Sequence, residues 1–265
     1  MTDREKCVER SLEGAVALIT GGTAGVGLET GARLARRGAH VVITGRTPQR
    51  GEEALSVLRE TSQAVSFEVG DAGDPAAVTD VVNRVKARHG AIDILVSSGA
   101  EGDVPPTPFA ELSMDELRRA FDSRLYPRIF PVHAALAALR ERGGSVVMLT
   151  TDAARHPTPG ESAVGAAGAA VILLTKALAR ELSRWKIRVN SVAMTLTSGT
   201  PSWDRIFDGE GFQTDLFAKA AKRFPQGRPP SVLEVADAVT YLAADAEQIT
   251  GQTLSVNGGL SFGGW

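Results

Sequence analysis

Short apolar runs alternate with amphipathic helical patterns along most of the 265 residues. That alternation predicts an α/β fold built on a doubly wound parallel sheet. Two further observations support it. The stretch 16–46, VALITGGTAGVGLETGARLARRGAHVVITGR, reads strand, glycine turn, helix, strand, the first half of a Rossmann-type dinucleotide-binding unit. The remaining runs bring the expected total to about seven strands, with helices on both faces of the sheet.

The first strand is the apolar run Val16–Ile19. The uncharged loop Thr20-Gly21-Gly22-Thr23-Ala24-Gly25-Val26-Gly27 follows it. Glycine serves here because a pyrophosphate must reach the backbone N–H groups of the next helix, and side chains would block it. Leu28, Ala32, Leu34 and Ala35 give that helix its apolar face, and Arg36-Arg37-Gly38 suits its C-terminus. Val41–Thr44 is the second strand. A helix is expected over 48–59, a third strand at 64–69, and a helix opened by Asp74-Pro75 with Val78, Val81, Val82 and Val85 inward. Ile92–Val96 is the fourth strand, and 101–108, with three prolines, is a loop. A long helix is expected over 113–140, interrupted or kinked at Pro127 and Pro131. Ser145–Leu149, a long apolar helix over 161–184, and Ile187–Val192 come next. Residues 198–230 read as a flap with short helices beside the substrate. Ser231 and Glu234 form a capping box for a helix over 231–244, and Thr253–Val256 is the last strand. No linker or repeat breaks the chain, so residues 1–265 are expected to form one domain.

Hydrophobic residues at 43% and charged residues at 23% fit an ordinary globular protein. A net charge of −2 gives no footprint for nucleic acid or for an anionic membrane. The basic pairs Arg36-Arg37 and Arg118-Arg119 read as solvated helix faces. Cys7 is the one cysteine, which excludes an intrachain disulfide. The N-terminal segment lacks the apolar stretch of a signal peptide, and no run is expected to cross a membrane. A cytoplasmic location is the resulting expectation. His40, His89, His133 and His156 are scattered, without metal-ligand spacing, so no metal is expected.

Gly21, Gly25 and Gly27 make T-G-x-x-x-G-x-G, a spacing that resembles the short-chain dehydrogenase/reductase family. The resemblance runs from about Leu12 to Leu260. It includes Asp71 after the third strand, Ile92-Asp93-Ile94-Leu95-Val96, LLTKALAREL at 173–182, IRVNSV at 187–192, Ile249-Thr250-Gly251-Gln252 and Asn257-Gly258-Gly259. It implies a cofactor-binding set of Gly21, Thr23, Gly25, Val26 and Gly27 in the loop, Arg46 after the second strand, Asp71 and Ala72 after the third, and Ser98, Gly99 and Ala100 after the fourth. Asp71 stands where the family holds the adenine amino group. At the end of the second strand, Gly45-Arg46 replaces the carboxylate that would accept from a ribose 2′-hydroxyl and repel a 2′-phosphate. A guanidinium there favours NADP(H), with NAD(H) as the alternative. The resemblance also implies a homodimer or homotetramer paired through the helices at 113–140 and 161–184, with Gly165, Ala166, Gly168, Ala169 and Ala170 allowing close approach.

The resemblance fails at the chemistry. The family's Tyr-x-x-x-Lys falls on Val164 and Gly168, its Ser on Thr151 and its Asn on Arg124. Neither Tyr126 nor Tyr241 has a lysine four residues later, so no shifted register restores the pair. Asn-Asn-Ala-Gly has become Ser97-Ser98-Gly99-Ala100, and the Pro-Gly after the sixth strand is Met194-Thr195. Replacement groups are sought in Thr151, His156 and Tyr126, with Asp152, Arg155 and Glu161 nearby. Val164 and Gly168, four apart, share a helix face, which leads us to expect a larger, more apolar pocket for a bulky substrate. Three functions stay open: an atypical enzyme acting by redox or by non-redox dehydration or cyclisation, a catalytically dead cofactor- or partner-binding homologue, and an ordinary NADP-dependent carbonyl reductase.

Overall fold

The computed structural model of the chain, which describes residues 9–99 and 102–261, contains strands β1 (Val16–Thr20), β2 (His40–Gly45), β3 (Val65–Val69), β4 (Ile94–Ser97), β5 (Gly144–Thr151), β6 (Ile187–Met194) and β7 (Thr253–Val256). All pairings are parallel, in the order β3-β2-β1-β4-β5-β6-β7. The strand order reverses between β1 and β4, which opens a crevice at their carboxyl ends. Cys7 and Ala100 lie outside the described residues.

Buried parallel strands carry apolar residues on both sides, and the pleat sorts them. Ala17, Ile19, Val147 and Leu149 face one layer, and Val16, Leu18, Val146 and Met148 the other. Helices α1 (Gly25–Arg36), α2 (Pro48–Arg59) and α8 (Val232–Thr240) cover the first side through Leu34, Leu58, Val235 and Val239. Helices α3 (Pro75–His89), α4 (Met114–Arg142) and α5 (Ser162–Leu182) cover the second through Val82, Leu139 and Val171. Each of these fully buried leucines and valines contributes about 1.5–3 kcal/mol. Within 198–230, α6 (Pro201–Phe207) and α7 (Phe212–Ala221) form a smaller apolar cluster in which Leu196, Ile206 and Phe224 are buried.

Several local expectations hold, and others need correction. Asp74 caps α3 by accepting from Ala76 N at 2.8 Å, and Ser231 with Glu234 forms the reciprocal box at α8. Pro127 and Pro131 do not interrupt α4. Pro131 has no N–H for the Pro127 carbonyl, but Ser97 at the end of β4 supplies a donor there. Its Oγ lies 3.4 Å from Pro127 O and 2.9 Å from Arg128 O. Helix α8 ends earlier than expected, and 241–245 is a π turn. Arg37 is not solvated: its side chain is 6% exposed and its Nη1 donates to Asp245 Oδ2 at 2.8 Å. That ion pair locks the end of α1 to the π turn. Contrary to the sequence expectation, Ser162–Trp185 is long and apolar enough to cross a membrane by composition. Ala167, Val171, Ala179 and Leu182 on it are buried in the fold, as in a core helix.

Candidate active site

The crevice beyond β1 and β4 continues into a cleft of about 1250 Å³. One half is built for close backbone approach. Gly21 has φ +69°, and a Cβ on it would lie 2.4 Å from Gly99 Cα. A Cβ on Gly27 would lie 2.4 Å from Gly21 O. Only glycine therefore lets the loop fold against β4 and the start of α1. The N-cap residue Ala24 offers no side-chain acceptor, and no acidic residue occupies the first turn of α1. The first N–H groups of this helix are left for an anion. Gly21, Thr23, Gly25, Val26, Gly27, Arg46, Asp71, Ala72, Ser98 and Gly99 all line the cleft, so the structure brings together every described member of the expected binding set. Ser98 Oγ donates to Thr20 O at 2.8 Å and ties the two strand ends together. Asp71 Oδ1 accepts from Gly73 N at 2.8 Å. Ala100 belongs to the expected set but lies outside the described residues. A Cβ on Gly45 would lie 2.7 Å from Thr23 Cγ2, so the position that would carry a ribose-binding carboxylate has no room for one. This half fits a dinucleotide.

The other half departs from expectation. Val164 lines the cleft. Gly168 does not reach it. It is buried, and a Cβ there would lie 2.6 Å from Thr151 Cγ2 and 3.0 Å from Ala154 Cβ. Gly165 is packed the same way, its added Cβ falling 2.6 Å from Ala153 O. The two glycines admit the 3-10 turn Asp152–Ala154 onto α5. They make no room for a bulky apolar substrate, nor do they face outward for a partner. Thr150 Oγ1 completes this seam by donating to Gly168 O at 3.0 Å.

Thr151 and His156 both line the cleft. Thr151 Oγ1 accepts from Ala153 N at 3.2 Å, which leaves its hydroxyl proton for another acceptor. His156 Nε2 is buried without a partner. Tyr126 is a misplaced candidate. It is 39% exposed, stacks on Phe130 at 4.9 Å, and is not part of the cleft wall. The cleft-lining residues of α4 are instead Arg119, Asp122, Ser123, Arg124, Pro127 and Arg128.

Arg124 and Arg128 give this half of the cleft a charged wall. Arg124 donates through Nη2 to Val104 O at 2.7 Å. Burial lowers its pKa, against attraction from Glu161 and Asp103. Burial, and then repulsion by Arg124, lowers Arg128 to about 10. Glu161 is raised by burial, which outweighs its hydrogen bond from Thr158 and the pull of Arg124. Arg205, on α6, also lines the cleft. Arg128 escaped the sequence reading, although its spacing of four from Arg124 places both on one helix face. Asp152 has a structural part. It is buried and accepts from Ser255 Oγ and Asn257 Nδ2, each at 3.1 Å, and from Ser261 Oγ. Arg155 likewise donates to Thr253 O at 2.9 Å. Together they fasten the turn after β5 to β7 and to Asn257 and Ser261 beyond it. Among the described residues no group of three or more His, Cys, Asp or Glu gathers to hold a metal ion.

Residues 21–261 match the family model described as enoyl-(acyl carrier protein) reductase. The oxidoreductase YhxC of Bacillus subtilis is 31% identical over 259 residues, covering 96% of this chain and 87% of that protein. The 3-oxoacyl-[acyl-carrier-protein] reductase FabG of Escherichia coli is 30% identical over 254 residues, covering 94% and 98%. A short-chain oxidoreductase of Pseudomonas aeruginosa, solved with NADPH bound and described as containing an atypical catalytic center, superposes with a TM-score of 0.87. It is 29% identical and covers 96% of this chain and 100% of that one. The glycine cradle, the reversed strand order and these matches agree: the chain belongs to the short-chain dehydrogenase/reductase family, oxidoreductases built on an NAD(P)-binding fold.

Proposed function

We propose that the chain is an atypical NADP(H)-dependent enzyme of this family, acting on a small organic substrate without the Tyr/Lys pair. The observation that carries the reading is the contrast within one cleft. The glycine cradle is intact, while Gly168 is sealed behind Thr151 and Ala154 and has no room for any side chain. A lysine cannot be accommodated there without moving the turn.

Gly21, Gly25, Gly27 and the open first turn of α1 would hold the pyrophosphate, and Arg46 beside Gly45 would hold a 2′-phosphate. The steric closure at Gly45 supports NADP(H) over NAD(H). When bound, the cofactor supplies a hydride donor or acceptor at its nicotinamide. Thr151 donates its hydroxyl proton to a substrate oxygen and orients it. His156 is the one imidazole on the cleft wall among the described residues, and an imidazole ring carries both a donor and an acceptor nitrogen. It takes the acid–base role that the phenol has in relatives. Val164 excludes water from the reacting side. A cytoplasmic location and a homodimer or homotetramer complete the proposal, with no nucleic-acid or membrane partner.

A second reading, a cofactor-binding subunit without turnover, is favoured by the apolar Val164 and the sealed Gly168. Transfer of deuterium from 4-deuterated NADPH to a panel of carbonyl compounds separates the two, read by mass spectrometry. Turnover of at least one compound is expected, falling by ~10²–10⁴ in His156→Gln with NADPH binding unchanged. No transfer to any compound supports the subunit reading. Transfer that survives His156→Gln overturns the role of the imidazole.

A further inference from the structure

Helix α4 carries Arg124 and Arg128 one turn apart, and both line the cleft. Their protein partners are few. Arg124 donates to Val104 O at 2.7 Å, and Arg128 donates through Nη1 to Arg124 O. The Nε of each is buried without an acceptor. Among the described residues neither forms an ion pair. Glu161 and Asp103 attract Arg124 from beyond contact distance. Among the described residues, the charged group that shifts Arg128 is Arg124, by repulsion. Two like charges set into a protein wall without a counter-ion oppose each other, and an anion placed between them reverses that sign.

Two anions have the required chemistry: a carboxylate on the substrate and a phosphate of the cofactor. The surroundings favour the first. A Cβ on Gly102 would lie 2.1 Å from Arg124 Cζ, so the backbone at Gly102 lies directly against this guanidinium. Glu161 at the start of α5, Asp103 ahead of α4 and Arg205 on α6 are its charged neighbours. Asp103, Glu161 and Arg205 line the cleft, Arg205 from within the 198–230 segment, whereas the phosphate cradle is made by the loop 21–27. The planar fork of a guanidinium also matches a carboxylate in two parallel hydrogen bonds.

We propose that Arg124 and Arg128 form a receptor for a substrate carboxylate, so that the substrate is a small organic acid held by its carboxylate with its reacting carbon turned toward Thr151 and His156. This deepens the functional reading above and rests on it for the direction in which the substrate is presented. Anion binding itself needs no turnover, so it is tested separately.

The experiment is calorimetric titration of the NADPH-loaded protein with acetate, benzoate and octanoate, each against its neutral amide, and with inorganic phosphate. At least one carboxylate should bind tenfold or more tightly than its amide. Arg124→Gln and Arg128→Gln should each weaken it at least tenfold, and Arg128→Lys, which keeps the charge and loses the fork, should weaken it as well. NADPH affinity, titrated separately, should change less than threefold in all three. If no carboxylate binds better than its amide, the proposal is overturned, and that comparison uses only the wild-type protein. It is overturned equally if the variants lose NADPH or phosphate affinity while carboxylate binding is unchanged, which would assign the pair to the cofactor. Absence of deuterium transfer would sink the functional reading and leave this titration standing.

Discussion

Single positions decide what this cleft can do. Counting back from the helix signature in the sequence assigns the Tyr and Lys positions to Val164 and Gly168, four apart on α5, with Thr151, thirteen residues before Val164, on β5 and Arg124 on α4. What lies opposite them is not legible there. The sequence suggests that two glycines in one turn make room for substrate. The folded chain uses that room for Thr151 and Ala154 at Gly168 and for Ala153 at Gly165. Tyr126 fails for a related reason: its helical face depends on how α4 rolls against β4, which no local pattern states. Gly168→Ala is expected to destabilise the protein by about 1–3 kcal/mol through overpacking against Thr151 Cγ2. Urea denaturation checks it, and an unchanged or raised midpoint would show that the turn yields freely.

Elements were more legible than residues. Caps and apolar periodicity placed α3 and α8, because a Ser or Asp before a periodic run satisfies N–H groups that the helix cannot. Strand ends moved by a few residues, since pairing with neighbours lengthens β5 and β6 beyond their apolar runs. The continuity of α4 was hidden because the donor beside Pro127 O comes from Ser97, thirty residues away. The capping box of α8 makes a pH-dependent prediction. Arg228, then the Ser231 N–H, hold the Glu234 carboxyl at about 2, below its ordinary 4.5. A folded-state pKa below the unfolded one adds stability above pH 4.5 that is lost as pH falls through about 2. Thermal melts of wild type and Glu234→Gln should therefore differ at neutral pH and converge by pH 2, modestly, because the pair is solvent-screened. A constant difference across that range would remove the carboxylate from the explanation.

At the scale of the molecule, the parallel sheet and the helices on both of its faces were readable from alternation; the strand order came from the folded chain, and the cleft follows from where that order reverses. Assembly was not readable, because the small residues of α5 divide between two roles. Gly165 and Gly168 are buried within the chain, whereas Ala166, Ala169 and Ala170 are exposed beside Leu173, itself 70% exposed. We propose this outer face as the contact between copies. Light scattering should give a dimer or tetramer for the wild type and a smaller species for Leu173→Arg, whereas a wild-type monomer at micromolar concentration would reject the interface.

We propose that the glycine-cradle half of the cleft binds a dinucleotide although Val164 and Gly168 stand at the positions assigned to the Tyr/Lys pair. Calorimetric titration of the wild-type protein with NADPH and with NADH tests it most directly. One site per chain, filled by NADPH at least tenfold more tightly than by NADH, is the result expected from the glycine cradle and from Gly45-Arg46. Absence of saturable binding by either dinucleotide would contradict the account.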